Sequence, residues 1–194
     1  MVGPASFAKQ VQGEWHEFIK IPKAQGWRHQ LKNEPGAVLF YEQKYRNLEN
    51  NAASELDSDF TPHWGFALGN IFTYGAAGAT LRFGEGLQKD YGPPRIRPSL
   101  PGSGFFETGD HGFSWYVFAG VEGRVVARNI FLDGNSFADS RNVNSKPLVG
   151  DLQGGLVVTV DRVRLSFTHV LRSEEFESQD KPDIFGAVAL SISY

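Results

Sequence analysis

The sequence predicts an all-β fold, an antiparallel barrel set in a membrane, with one helix near the N-terminus. Three observations carry this. First, residues 113–128 are apolar or glycine at every odd position (Phe113, Trp115, Val117, Ala119, Val121, Gly123, Val125, Ala127), whereas Ser114, Tyr116, Glu122, Arg124 and Arg128 fall on even ones. Side chains of a strand alternate between its faces, so this is one long strand with a charge-free side and a charged side. It is longer than the roughly 9–11 residues a tilted strand needs to cross lipid. Second, the other predicted strands also exceed the ~5–6 residues typical of soluble domains. Third, the two-residue link Asp161-Arg162 lies between two long polar connections, as when short turns occupy one membrane side. A soluble barrel alternates as well, burying the apolar stripe and wetting the polar one, so periodicity by itself does not say which face is outside.

Composition narrows the class. Nineteen lysines and arginines against 22 acidic residues offer no net-charge argument for nucleic acid. There is no cysteine, hence no disulfide framework, thiolate metal site or cysteine nucleophile. No run approaches ~18 apolar residues, which excludes a membrane-spanning helix. The 22 glycines and the 16 Phe, 6 Tyr and 4 Trp suit a β protein with aromatic belts, and a soluble barrel almost as well. The N-terminus shows no basic start followed by an apolar core, so no signal peptide is visible.

Along the chain, residues 1–34 differ from all that follows. Phe7, Val11, Trp15 and Phe18 or Ile19 recur at helical spacing, with Ser6 as a plausible N-cap. The helix is expected to end before Pro22, and Gly26 to open an irregular link. His16 sits beside Trp15 at the edge of the apolar stripe. From residue 37 the period becomes two. Residues 37–46 set Leu39, Tyr41 and Tyr45 against Glu42, Lys44 and Arg46. Residues 47–59 are polar, end in Glu55, Asp57 and Asp59, and read as a solvated loop. Residues 60–72 place Phe60, Trp64, Phe66 and Leu68 opposite Thr61, His63, Gly65, Ala67 and Gly69, and residues 74–83 form a small-residue strand. Residues 84–112, with Gly92-Pro93-Pro94, Pro98 and Pro101-Gly102, are incompatible with a central strand. Counted back from the last strand they fall on the short-turn side, so either this segment folds into the lumen or the count is off. After a polar connection over 129–147, strands follow at 148–160, 163–172 and 184–194. That makes about seven strands, grouped as a helix-bearing segment, 1–34, and a barrel segment, 35–194.

Few side chains suggest chemistry. His29, His63, His111 and His169 share no ligand spacing and read as structural. His16-Glu17 lacks the second histidine of a zinc-protease helix. Glu55, Asp57 and Asp59 lack the glycine-centred loop of an EF-hand. Glu122, Arg124, Arg128, Asp151, Arg164 and Arg172 suggest a charge network in the lumen. Lys44, Arg46, Arg82, Arg95 and Arg97 suit either phosphate contacts or ordinary surface solvation.

Several stretches resemble the lipid A 3′-O-deacylase family of bacterial outer-membrane proteins: Val2-Gly3-Pro4, Val11-Gln12 with His16, Gly26-Trp27 with Gln30, Gly92-Pro93-Pro94-Arg95, Phe118-Ala119-Gly120-Val121-Glu122 and the aromatic end of the last strand. The resemblance covers nearly the whole chain, and the block 115–135 makes it specific. It implies an antiparallel outer-membrane barrel of about twelve strands, of which about seven are present here and roughly five would lie upstream, the helix being in an extracellular loop. It implies hydrolysis of the ester carrying the 3′-linked acyl chain of lipid A in lipopolysaccharide, with His16 as general base and calcium assisting. Arg95 and Arg97 would meet the lipid A phosphates. Tyr194 ends a strand similar to the signal read by the outer-membrane assembly machinery. The family's Asn-Asp pair and Ser/Thr position align with nothing in these 194 residues, which are therefore expected to lack turnover by themselves. Some members place a glutamate six residues after the histidine and a tyrosine eight after; here Pro22 and Ala24 stand there. The alternatives are a barrel without catalysis, acting as a pore or scaffold, and a soluble ligand-binding β-barrel.

Overall fold

Alternation of period two produces one antiparallel sheet in the computed structural model, which describes residues 1–49, 56–93 and 112–193. Its strands are β1 (Val38–Lys44), β2 (Asn47–Glu49), β3 (Asp57–Gly69), β4 (Phe72–Glu85), β5 (Phe113–Asn129), β6 (Leu148–Val160), β7 (Val163–Arg172) and β8 (Asp183–Ile192). Helix α1 (Ala8–Phe18) precedes them and the short α2 (Ile130–Asp133) follows β5. The order is β1-β3-β4-β5-β6-β7-β8, with β2 prolonging the line of β1 along β3. From β2 onward sequence neighbours pair, and β1 with β2 forms one edge of the sheet and β8 the other. The hairpin between β6 and β7 turns in the two residues anticipated, Asp161 taking the left-handed φ of 51° that aspartate tolerates.

The two faces of the sheet carry different side chains. Val121, Leu152, Phe167 and Val188 point outward and are exposed, Val121 by 55% of its surface and Leu152 by 52%. Arg82, Arg124, Arg164 and Arg172 point inward and are buried, Arg164 to 1% exposure. The soluble-barrel alternative requires the reverse. A large apolar side chain left in water forgoes about 1.5–3 kcal/mol, so rows of them on one face describe a surface made for an apolar medium. Among the described residues no helix is long and apolar enough to cross a membrane.

Inward charges are matched across strands. His63, Gly78, Glu122, Asp151 and Arg172 are successive register partners on β3, β4, β5, β6 and β7. His63 Nε2 lies 3.1 Å from Glu122 across β4. The crossing needs glycine at position 78, because a Cβ there would meet His63 Cε1 at 2.6 Å. Asp151 accepts two hydrogen bonds from Arg124 (3.0 and 2.9 Å) and two from Arg172 (2.8 and 3.0 Å). The anticipated lumen network therefore exists, but it is divided: Arg164 serves another cluster, and Arg128 binds the backbone oxygens of Asn70 and Gly134.

Two expectations are corrected here. Asp57 and Asp59 belong to β3 rather than to a solvated loop, and Asp59 is buried. The inward alternation of Ala67, Gly65 and His63 simply continues through Thr61 to Asp59, whose register partner is Arg82. Arg82 consequently has neither of the roles anticipated for it, being enclosed by Asp59 at 2.9 Å and Asp90 at 3.3 Å. Arg46 is likewise turned inward, donating to the carbonyls of Leu87 and Gln88.

The described part of the 84–112 segment does enter the barrel interior. Leu87 is fully buried with Tyr116, Phe118 and Val157. Asp90 accepts hydrogen bonds from Arg82, Tyr116 and Arg164, and Arg164 also donates to the Gly92 carbonyl at 2.9 Å. A second apolar cluster, formed by Val2, Ala67, Ile71, Phe72, Tyr74 and Ile130, closes the opposite, helix-bearing end. Replacing Asp151 by alanine would leave Arg124 and Arg172 without their shared carboxylate, since Glu122 and Glu175 stand at 3.9 and 3.7 Å. The expected cost is about 3–5 kcal/mol, read from the urea midpoint of the detergent-folded protein; a loss below ~1 kcal/mol would contradict this assignment.

Candidate functional site

The site is built on the N-terminal segment. Pro4–Ser6 form a single 3-10 turn, Phe7 takes a left-handed φ of 58°, and α1 starts at Ala8. Phe7, not Ser6, is the N-cap residue, because the Ser6 hydroxyl donates to the Gly3 carbonyl at 2.7 Å and meets the Ala8 amide only at 3.4 Å. The helix ends at Phe18, ahead of Pro22 as anticipated, and Lys20 reverses the chain at φ 55°. Val11, Trp15 and Phe18 share one side of α1 and are all exposed, with the Trp15 and Phe18 rings 5.7 Å apart. Among the described residues no strand packs along that side.

His16 is half-buried, and its Nδ1 lies 2.7 Å from the Pro22 carbonyl oxygen. A carbonyl only accepts, so the neutral ring carries its proton on Nδ1 and presents the Nε2 lone pair. The chain reversal after α1 thus places a backbone acceptor, Pro22, where some relatives are expected to have a glutamate. Glu17 is engaged elsewhere, accepting from Lys23 Nζ at 2.7 Å, and this contact holds its carboxyl below the usual range. It does not orient the imidazole.

The other candidates are dispersed. Arg95 and Arg97, like Glu55, His111 and Tyr194, lie outside the described residues. His29 accepts from Arg28 Nε at 2.9 Å, His63 is in the lumen, and His169 faces outward on β7 between Gly154 and Gly186. For calcium the described residues offer no fit: no three acidic or histidine side chains converge, and Asp59 already faces Arg46 and Arg82.

Sequence reasoning missed the polar base beneath this segment. The buried Glu34 carboxylate accepts from Asn70 Nδ2 at 2.8 Å on one oxygen, and from Asn135 Nδ2 at 3.0 Å and the Ser136 amide at 2.8 Å on the other. Asn135 also exchanges two hydrogen bonds with the Lys32 backbone. Beside this base lies a cleft of about 580 Å³ walled by Val2, Trp27, Leu31, Phe131 and Phe176, with Arg141 also in its lining. His16 is not among its lining residues. No periodic signal marks Glu34, Asn70 or Asn135, because each acts from an irregular stretch.

Burial favours the neutral form of Glu34, but the donors from Ser136, Asn135 and Asn70 outweigh it and bring the group to about 2. A carboxyl depressed on folding stabilises above its ordinary value near 4.5 and ceases to as pH falls toward 2. Amide-exchange protection at Ser136, corrected for intrinsic rate, is expected to hold from neutral pH to about 4.5 and to fall between there and about 2. A fall centred near neutrality would contradict the assignment.

No curated protein sequence matches. Among solved structures, LpxR from Salmonella typhimurium superposes with a TM-score of 0.83 at 22% identity, over 99% of this chain and 64% of that one. This chain therefore spans less than two thirds of the protein it resembles, and shares with it an outer-membrane barrel fold. A family model described as outer membrane protein LpxR matches residues 1–194. Because that family model spans the whole sequence, the chain belongs to the LpxR family of outer-membrane proteins.

Proposed function

We propose that this chain contributes to an esterase that removes the 3′-linked acyl chain of lipid A in the bacterial outer membrane. Residues 1–34 supply the base and residues 35–194 supply wall strands that span the lipid. The observation that carries this reading is the hydrogen bond from His16 Nδ1 to the Pro22 carbonyl, which presents Nε2 as a proton acceptor. In the reaction Nε2 takes a proton from water as the oxygen attacks the ester carbonyl. The tetrahedral adduct collapses, the lipid A alkoxide takes the proton from the imidazolium, and a fatty acid leaves. During attack the Pro22 carbonyl dipole favours the cationic ring, the task that a carboxylate performs in a Ser-His-Asp triad.

Arg95 and Arg97 are proposed to meet the lipid A phosphates, and the last strand to engage the assembly machinery. Calcium dependence is proposed with no ligand among the described residues, and no step above passes through the ion. Turnover also draws on the Asn-Asp pair and the Ser/Thr position, so the 194 residues by themselves are expected to leave lipid A intact. The non-catalytic alternative keeps one point in its favour: the interior segment held by Asp90 narrows the lumen, which suits a scaffold better than a pore.

Two measurements test the proposal. His16→Ala in the full chain is expected to lower 3′-deacylation, followed by mass spectrometry of extracted lipid A, by at least 10²-fold, and a chelator is expected to abolish it until calcium is restored; activity that survives His16→Ala refutes the general-base role. Leu156→Arg on the outward face is expected to cost about 2–4 kcal/mol for folding into bilayers. A negligible cost would mean that this face does not meet lipid.

A further inference from the structure

The segment carrying His16 is a closed loop that touches the barrel at its base. The backbones of Val2 and Glu34 pair in an antiparallel bridge, with N–O distances of 3.0 and 3.3 Å, so the two stalks of the loop meet there. The Ala5 amide donates to Asn33 Oδ1 at 2.7 Å, cross-linking the stalks just above. Beyond these contacts no residue of α1 is buried, so the helix has no packing of its own to hold it against the sheet. One stalk is pinned by Val2, which enters the apolar cluster with Ile71 and Ile130. The other is pinned by Glu34, whose two oxygens grip separate pieces of the wall: Asn70, in the turn between β3 and β4, and Asn135 with Ser136, in the loop after α2.

These pieces are themselves joined to each other. Arg128 Nε donates to the Asn70 carbonyl at 3.0 Å, and its Nη2 donates to the Gly134 carbonyl and the Ser136 hydroxyl at 2.9 Å each. Asn70 Oδ1 receives the Ala37 amide at 2.9 Å, leading directly into β1. A charged carboxylate buried among three donors is costly to place unless all are satisfied. Its geometry is therefore sharply defined, and so is the direction in which the loop leaves the barrel.

We propose that Glu34 is a positioning residue for the esterase site: its carboxylate fixes the base of the 2–34 loop on the turn after β3 and the loop after α2, and so sets where His16 stands relative to the wall. The inference rests on the deacylase reading for its catalytic consequence, though not for the clamp itself. Glu34 touches no reacting atom. Glu34→Gln keeps the shape but turns an amide nitrogen toward groups that are themselves donors. Asn135→Ala removes the contacts to Glu34 and Lys32 while leaving Asn70 in place.

The test has two arms. On the full chain in detergent, both substitutions are expected to raise amide exchange across residues 2–34 at least tenfold, while exchange in β5–β8 and the heat-dependent gel shift of the barrel stay as in the parent. In the full chain in outer-membrane vesicles, both are expected to lower kcat at least tenfold with KM within about twofold. The position of His16 would then be lost, but not the surface that binds substrate. Unchanged exchange in residues 2–34 overturns the clamp, and changed exchange with unchanged kcat overturns the positioning role. If Glu34→Gln loses the gel shift, Asn135→Ala decides on the same criteria. A parent without deacylation overturns the esterase reading and the catalytic role together, while the exchange arm still rules on the clamp.

Discussion

The cross-strand row of His63, Glu122, Asp151 and Arg172 is the constraint on which the rest of this structure depends. A sheet that turns its apolar face outward leaves its charges on the inside, away from bulk water. There an unmatched ion costs several kcal/mol. The matching has to be made across strands, and register makes it: one row of partners carries an imidazole, two carboxylates and a guanidinium, with Gly78 opening the path over β4. Glu122 and Asp151 stand directly opposite as like charges, an arrangement that is unfavourable alone. Arg124 and Arg172, closing on Asp151 from two sides, make it tenable. A slip of one residue would send these groups to the outward face and the apolar row to the inside, so the charge row and the outward belt specify the same register.

The two ends of the sheet are finished in different ways. At one end Leu87 enters the interior, and Asp90 gathers Arg82, Arg164 and Tyr116 around one carboxylate. That contact draws a proline-flanked connection inward. At the other end an apolar plug of Val2, Ile71, Phe72 and Ile130 underlies a polar base centred on Glu34. In each case a buried acid holds an irregular segment that has little regular structure to hold itself. The helix-bearing end carries the candidate base on a loop whose apolar helix face, Val11, Trp15 and Phe18, is exposed.

The clearest departures from the sequence reading occur where residues act by position rather than by periodic pattern. Asp59 sits in an acidic cluster that looks like a solvated turn; only pairing with β4 shows that the inward alternation continues to it and puts it opposite Arg82. Ser6 has the chemistry of an N-cap, but its hydroxyl is taken by Gly3 and the chain turns at Phe7 instead. His16 was legible through resemblance, whereas its orientation was not: the Pro22 carbonyl is a backbone atom, and the side chain at position 22 gives no hint of it. Glu34, Asn70 and Asn135 lie far apart in the chain and carry no motif, so nothing short of their convergence identifies them.

What the sequence determined by itself was the strands. Two-residue alternation, the Asp161-Arg162 turn and the prolines after Gly92 suffice to lay out the seven-strand path and the helix before it, because side-chain direction in a strand and the limits on proline are local properties of the backbone. Tertiary structure decided which face looks outward, which acid meets which arginine, and how the loop bearing His16 is anchored. Those depend on register and on contacts between residues as distant as Glu34 and Ser136, and a pattern of period two is equally consistent with a face turned toward water or away from it.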